Sequence, residues 1–342
     1  MMKVSWILAL LLQKVTRIAS RNPIVSNMGL ADPHVHVKKY FDHNQSSSSS
    51  PVEFLLFGTH DYSDSNTDYL MKDWWIWNSS DLVNWELKSV LYPTVFEWEN
   101  VITTNECWAT DAAQTGDNQW YWYVSVGPGN IGVVMGYEDV DTGQMVWKDP
   151  LGRPLLSSSY GQQLDPPTTF RDPSIFQDDD GIFYLIAGVF EYYILRLNHD
   201  MISFDGEPYH IRIYPNGASA WGPYGNSTDD KPFVHKRDHL YYLSWGCFYA
   251  TSSSLFGPYI YRGVFIHRKA LAEDFRMPLN ISLPWYSQQD FADRHGSFFH
   301  FRKQWYFITN DRSHSTDEGN QEYFRGIYLC TFIKYNYTHF LS

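Results

Sequence analysis

Three carboxylates stand at or beside a proline in comparable settings: Asp32-Pro33, Asp172-Pro173 and Asp230-Lys231-Pro232. Carboxyl groups that converge on one point can divide general acid–base work. One takes a proton from water and another donates one, provided their environments hold them in opposite states. A third carboxylate raises a neighbour's pKa by like-charge repulsion and keeps it protonated near neutral pH. A single Asp-Pro pair says little, because it is a favoured turn initiator. Asp149-Pro150 and Asp165-Pro166 read as turns. The chemical reading rests on three carboxylates sharing one position within a repeat.

The repeat is an aromatic-rich run leading into small residues or a turn. It recurs as Glu53–Gly58, Gln119–Gly127, Gly181–Gly188, His239–Gly246 and Gln304–Asn310. The copies lie roughly 60 residues apart, and short strands repeated at such a period signal radial blades. Later strands of the blades are read at Val133–Tyr137, Tyr192–Leu197 and Gly326–Phe332. The expectation is an all-β, five-bladed β-propeller spanning residues 31–338, with blades at 31–95, 100–160, 165–222, 225–280 and 288–338. The innermost strand of each blade lines the axis, and the carboxylate-proline segments enter at the start of that strand. Helix is expected only as a turn or two, for instance at Lys269–Asp274, and the serine run ending at Ser50 reads as a loop.

The chain has 342 residues, 44% hydrophobic and 18% aromatic, enough for a large core. Its net charge of −12 disfavours nucleic acid or an anionic membrane as partner. Three cysteines, with no Cys-x-x-Cys or Cys/His cluster, argue against structural zinc. Lys3 precedes the apolar run Val4–Leu12, too short to span a bilayer but suited to a signal-peptide core. Residues 1–22 are therefore read as a leader. Sequons at Asn44, Asn78, Asn226, Asn280 and Asn336 agree with a secretory route. No other run is long enough for a membrane span, and the oligomeric state is left open. Asp178-Asp179-Asp180 lacks the ligand spacing of an EF-hand and reads as an exposed hairpin turn.

In blade order, the chain resembles the family 43 glycoside hydrolases. Asp32-Pro33, Leu56–Asp61 and Asn78–Trp85 look like that family's first blade, and Trp108-Ala-Thr-Asp111 its second. Arg171-Asp-Pro-Ser-Ile-Phe matches the third-blade segment, Asp230-Lys-Pro lies where a fourth-blade Glu-x-Pro falls, and Arg294-His-Gly matches the fifth. The resemblance implies a five-bladed propeller and an inverting glycosidase acting on arabinosyl, xylosyl or galactosyl linkages of a carbohydrate substrate. It also implies roles. Asp32 matches the general base, Asp172 the carboxylate that tunes and orients the acid, and Asp230 the position of the acid. His295 matches an axial histidine, beside which some members hold a calcium ion or waters. Arg325 resembles an arginine near the sugar. No cofactor is required.

Inversion needs the acid and base ~6.5–9.5 Å apart, to admit a water. The family's acid is Glu, and Asp230 is one methylene shorter. Asp229 and Glu191 are the alternatives for the acid, and a non-catalytic carbohydrate-binding propeller is the alternative function. Lys231 beside the acid position favours an ionised carboxylate.

Among the aromatic residues, Trp120, Trp122 and Trp305 sit in repeat strands and read as core, whereas Trp108 and one of Trp74 or Trp75 read as sugar platforms. His34, His36 and His60 read as hydrogen-bonding residues rather than catalysts.

Overall fold

Strands that carry large side chains on both faces must be covered on both, and stacking blades radially does this. In the computed structural model, which describes residues 24–25, 28–39, 52–62, 69–98, 105–116, 118–139, 141–265, 295–311 and 326–332, the strands form five sheets. The first is Leu30–Val37, Phe54–Asp61, Met71–Ser79 and Glu86–Leu91, each antiparallel to the next. The second is Cys107–Gly116, Gln119–Val126, Asn130–Glu138 and Met145–Lys148. The third runs from Ser174–Gln177 through Phe183–Ala187 and Tyr193–Arg196 to Tyr209–His210. The fourth holds Phe233–Arg237, Leu240–Trp245, Phe248–Ser252 and Tyr259–Val264, and the fifth Gly296–Phe301, Gln304–Asp311 and Gly326–Phe332.

The first strands of successive sheets lie side by side and close into a ring, with Leu30–Val37 between Cys107–Gly116 and Gly296–Phe301. The fold is a five-bladed β-propeller. Ile24 N–H donates to Ile327 O at 2.9 Å and ties the first described residues to the fifth blade.

Most tryptophans fill the seams between blades. Trp74, Trp120 and Trp122 are buried between the first two blades with Phe57, Leu55 and Val124. Trp75 and Trp77 pack with Phe299, Tyr306 and Ile308 between the first and fifth. Tyr123, Phe170 and Leu185 join the second and third, and Trp245, Tyr192 and Leu243 the third and fourth.

One boundary differs from expectation. Ile213–Tyr214, assigned by sequence to the third blade, pairs in parallel with Tyr259–Val264 and forms the outer edge of the fourth. A pair of residues makes too few ladder bonds to choose its own sheet, and the neighbouring edge captures it. Short helical turns form at Pro93–Val95 and at Ser158–Gly161, the latter capped by the Ser157 side chain accepting from Tyr160 N–H. The helical turn expected at 269–274, and the leader at 1–22, lie outside the described residues.

Candidate active site

The carboxylate-proline segments place their side chains through backbone geometry. Asp32 has φ +53° and sits in a register break between Ala31 and His34, so it leaves the ladder. Asp172 has φ +58°, and its N–H donates to Ser125 Oγ of the second blade at 2.7 Å. Positive φ is costly for a residue with a Cβ, on the order of 1–3 kcal/mol. In the fourth blade the residue with this conformation is Lys231, at φ +55°, directly before Pro232. The shared repeat position is therefore filled by Asp32, Asp172 and Lys231. Asp230 lies one residue earlier, which corrects the expected equivalence of the three carboxylates.

All three carboxylates nonetheless meet at the axis, around His295. Its Nδ1 lies 3.0 Å from Asp32 Oδ1, and its Nε2 lies 2.6 Å from Asp230 Oδ1. The second contact is a close charge contact rather than an aligned hydrogen bond. Lys231 N–H donates to Asp172 Oδ2 at 3.3 Å, and Asp230 N–H to Asp229 Oδ1 at 3.0 Å. The side chains of Asp32 and Asp172 are each only 5% exposed, whereas that of Asp230 keeps 27% of its surface open.

Burial and the charge of Asp230 push the Asp172 carboxyl up to about 7. Burial would raise Asp230 as well, but His295 and then Arg171 outweigh it and hold its carboxyl below the usual range. Of the two, Asp172 is therefore the carboxyl that holds a proton, up to about pH 7. This reverses the expectation of Asp230 as the protonated partner: the imidazole touches Asp230, while nothing comparable offsets the burial of Asp172.

A second polar cluster braces the blades beneath. Asp111 Oδ1 lies 2.8 Å from both His34 Nδ1 and His36 Nε2, and its Oδ2 accepts from Ile175 N–H of the third blade at 2.7 Å. Burial lowers His34 to about 4. Among the described residues, His34, His36 and Asp111, and likewise Asp229, Asp230 and His295, bring donor atoms within 4.8 Å of one another. Calcium fits the second group poorly. It prefers oxygen ligands, and both nitrogens of His295 already face carboxylates. His60 pairs with Asp73 at 3.1 Å and lies tilted against the Trp75 ring, centroids 3.7 Å apart, so it too serves structure.

The aromatic expectations divide. Trp108 is partly exposed, its Nε1 donates to Tyr69 O, and the Arg171 guanidinium lies 4.8 Å above its ring. Trp74 is fully buried and donates to Trp108 O at 2.7 Å, and Trp75 is 8% exposed in the seam against the fifth blade. Neither offers a face to a sugar, because both surfaces of their strand are packed between blades.

The exposed aromatic residues near the site come from loops. Tyr224 is 61% exposed, feels the charges of Asp229, Asp230 and His295, and packs edge-on against Phe190 at 5.8 Å. Periodicity gave no signal for either. Arg171 adjoins the Asp172-Pro173 motif, and that adjacency is the signal that marks it.

Glu191 pairs with His210 of the outermost third-blade strand at 2.8 Å, away from the axis, which removes it as an acid. Asp178 is not an exposed turn residue: its carboxylate bonds Lys236 at 2.8 Å and Tyr241 of the fourth blade at 2.6 Å. Asp179 and Asp180 do form the turn. Arg325 lies outside the described residues.

The architecture is a five-bladed propeller with buried carboxylates meeting on its axis, and the comparisons with known proteins show the family. Glycosyl hydrolases family 43 matches residues 21–263, and the chain belongs to that family. An arabinoxylan arabinofuranohydrolase of Bacillus subtilis (strain 168) is 25% identical over 307 residues, 76% of this chain and 57% of the relative. A beta-D-galactofuranosidase of Aspergillus niger is 28% identical over 53% of this chain and 53% of its own length. The chain thus spans little more than half the length of these relatives. The crystal structure of a β-xylosidase/α-arabinofuranosidase from a compost microbial metagenome, in complex with xylotriose, superposes with TM-score 0.62 at 20% identity, covering 92% of this chain and 94% of that one.

Proposed function

We propose that this chain is an inverting glycoside hydrolase cleaving arabinosyl, xylosyl or galactosyl linkages. The observation that carries the reading is the placement of Asp32 and Asp230 at opposite nitrogens of one imidazole. One ring plus two polar contacts is a span comparable to the ~6.5–9.5 Å that inversion requires. Asp32 takes a proton from the attacking water as the oxygen of that water bonds the anomeric carbon. The bond to the leaving oxygen breaks on the other face, and that oxygen takes its proton from the Asp172–Asp230 pair. Asp172 holds this proton at rest, and Asp230, with its partly open side chain, faces the substrate. Trp108, Tyr224 and Phe190 supply apolar faces for sugar rings, and Arg171 supplies donors. The relatives named for arabinofuranosyl, xylosyl and galactofuranosyl substrates support the choice of sugars. Export through the secretory pathway completes the proposal.

One observation favours a second reading, a propeller that binds carbohydrate without cleaving it. Asp230 is ionised against His295, the wrong state for an acid. A screen of aryl arabinofuranosides, xylosides and galactofuranosides, wild type beside Asp32→Asn, separates the two. Hydrolysis lost in the variant supports the enzyme. Sugar binding by calorimetry with no turnover on any substrate supports the lectin.

A further inference from the structure

The side chain of Lys231 is long, cationic and only 1% exposed, on a fold whose axis is ringed by carboxylates. Burying an ammonium costs several kcal/mol unless it is paired. Its Nζ donates to the backbone oxygens of Asp32, at 3.4 Å, and Thr110, at 3.2 Å. Those oxygens belong to the inner strands of the first and second blades, while Lys231 enters from the fourth. The side chain therefore reaches across the ring to the opposite inner strands. Its charge acts on Asp32, Asp172, Asp111 and Asp230.

We propose that the Lys231 ammonium is a resident cation of the propeller axis, taking backbone oxygens and neutralising carboxylates where a divalent ion would otherwise be needed, so that this chain holds its site without calcium. Three features support this. First, the ammonium binds carbonyl oxygens, the ligand type a hard cation seeks. Second, it brings its charge on the repeat position that the first and third blades fill with Asp32 and Asp172. Third, Lys231 holds a positive φ that glycine would adopt without strain. A strained backbone at a buried lysine marks a side chain with a purpose on the axis. Lys231 is thus a positioning residue: it fixes Asp32 through its own carbonyl and keeps the carboxylates compatible with burial. None of this depends on hydrolysis, so it stands or falls apart from the proposed activity.

The test reads thermal stability rather than turnover. Wild-type chain, treated with chelator, is melted in excess EDTA and in millimolar calcium, and the two midpoints are expected to coincide. A calcium-dependent rise, which linkage requires of any ion bound to the native state, overturns the proposal. Lys231→Met keeps most of the apolar stem and removes the charge. Its midpoint is expected to fall several degrees below wild type at pH 8, and the gap to narrow toward pH 4 as the carboxylates take up protons. A gap that is constant with pH means that the stem merely packs, and also overturns it. In Lys231→Gly, whose backbone strain is relieved, calcium or butylammonium is expected to restore several degrees, and failure of both to do so counts against the axis as a cation site. Should both variants fail to fold, the wild-type comparison in EDTA and calcium still decides.

Discussion

Asp172 and Lys231 occupy the same point of two adjacent blades, each at positive φ before a proline, and the Lys231 amide donates to the Asp172 carboxylate at 3.3 Å. The contact sets a buried acid against a backbone donor and a buried cation, while the negative charge of Asp230 acts on it as well. Burial and Asp230 prevail over the cations, so Asp172 holds a proton to about pH 7.

That balance predicts a pH-dependent stability with a definite sign. An aspartate in the unfolded chain titrates near its ordinary 3.8, and folded Asp172 near 7. Between those values the folded chain keeps a proton that the unfolded chain has released. The contribution of Asp172 is therefore fully present below pH 3.8 and is lost as pH rises to 7. Asp172→Asn lacks this loss. Denaturant titrations from pH 4 to 7 are expected to show the variant gaining on wild type by on the order of 1.4 kcal/mol per unit at most, and a few kcal/mol in all. A difference that stays flat over that range would place the proton elsewhere.

Asp111 should matter more to the fold than to chemistry. Its carboxylate serves His34, His36 and the amides of Ile175 and Ala112 at once. Asp111→Ala leaves those buried groups without their acceptor and is expected to cost about 3–5 kcal/mol by urea unfolding. Asp141→Asn, on an exposed turn, is expected to stay within about 0.5 kcal/mol. His34 adds an acid-side effect: its folded pKa of about 4 lies below the ordinary 6.5, so its contribution is lost as pH falls through that interval.

Asp32→Asn separates use from structure. The expected result is loss of any hydrolysis, with stability within about 1 kcal/mol of wild type, because polar groups held in a site usually sit there at some expense to the fold. Activity per folded molecule that is unchanged, in a chain that melts early, would make Asp32 a strut.

Much of the architecture was legible because each blade repeats one aromatic strand, and five such runs give five sheets. Asp32 and Asp172 were legible because a proline after a positive-φ residue leaves a mark in sequence. The shared turn position of the fourth blade was misread by one residue: proline reveals that a break exists, but not that the positive φ falls on Lys231, while Asp230 just before it still reaches His295. Trp74 and Trp75 were misread because strands covered on both faces lose the alternation that distinguishes an exposed ring from a packed one. Tyr224 and Phe190 come from separate loops, and only the folded chain brings them together. The long reach of Lys231 is likewise a tertiary fact, set by where the axis lies.

The identity of the proton donor yields the sharpest prediction. Asp230 is one methylene shorter than the glutamate that the resemblance implies for the acid, and His295 holds it ionised, so proton delivery to a departing sugar oxygen is expected to be slow. Leaving groups that need little protonation bypass that weakness. Nitrophenyl glycosides are therefore expected to be cleaved far faster than natural linkages. Asp230→Ala is expected to slow a natural oligosaccharide ~10²-fold or more and the nitrophenyl substrate only a few-fold. Asp230→Glu, which restores the missing reach, is expected to raise turnover on the natural linkage. Asp172→Asn removes the stored proton and should reproduce the same selective loss. Equal losses on both substrates in Asp230→Ala would argue against proton delivery. Unchanged rates on both would pass the role to Asp229, whose Oδ1 accepts the Asp230 amide and whose carboxylate lies in the same cluster beside His295.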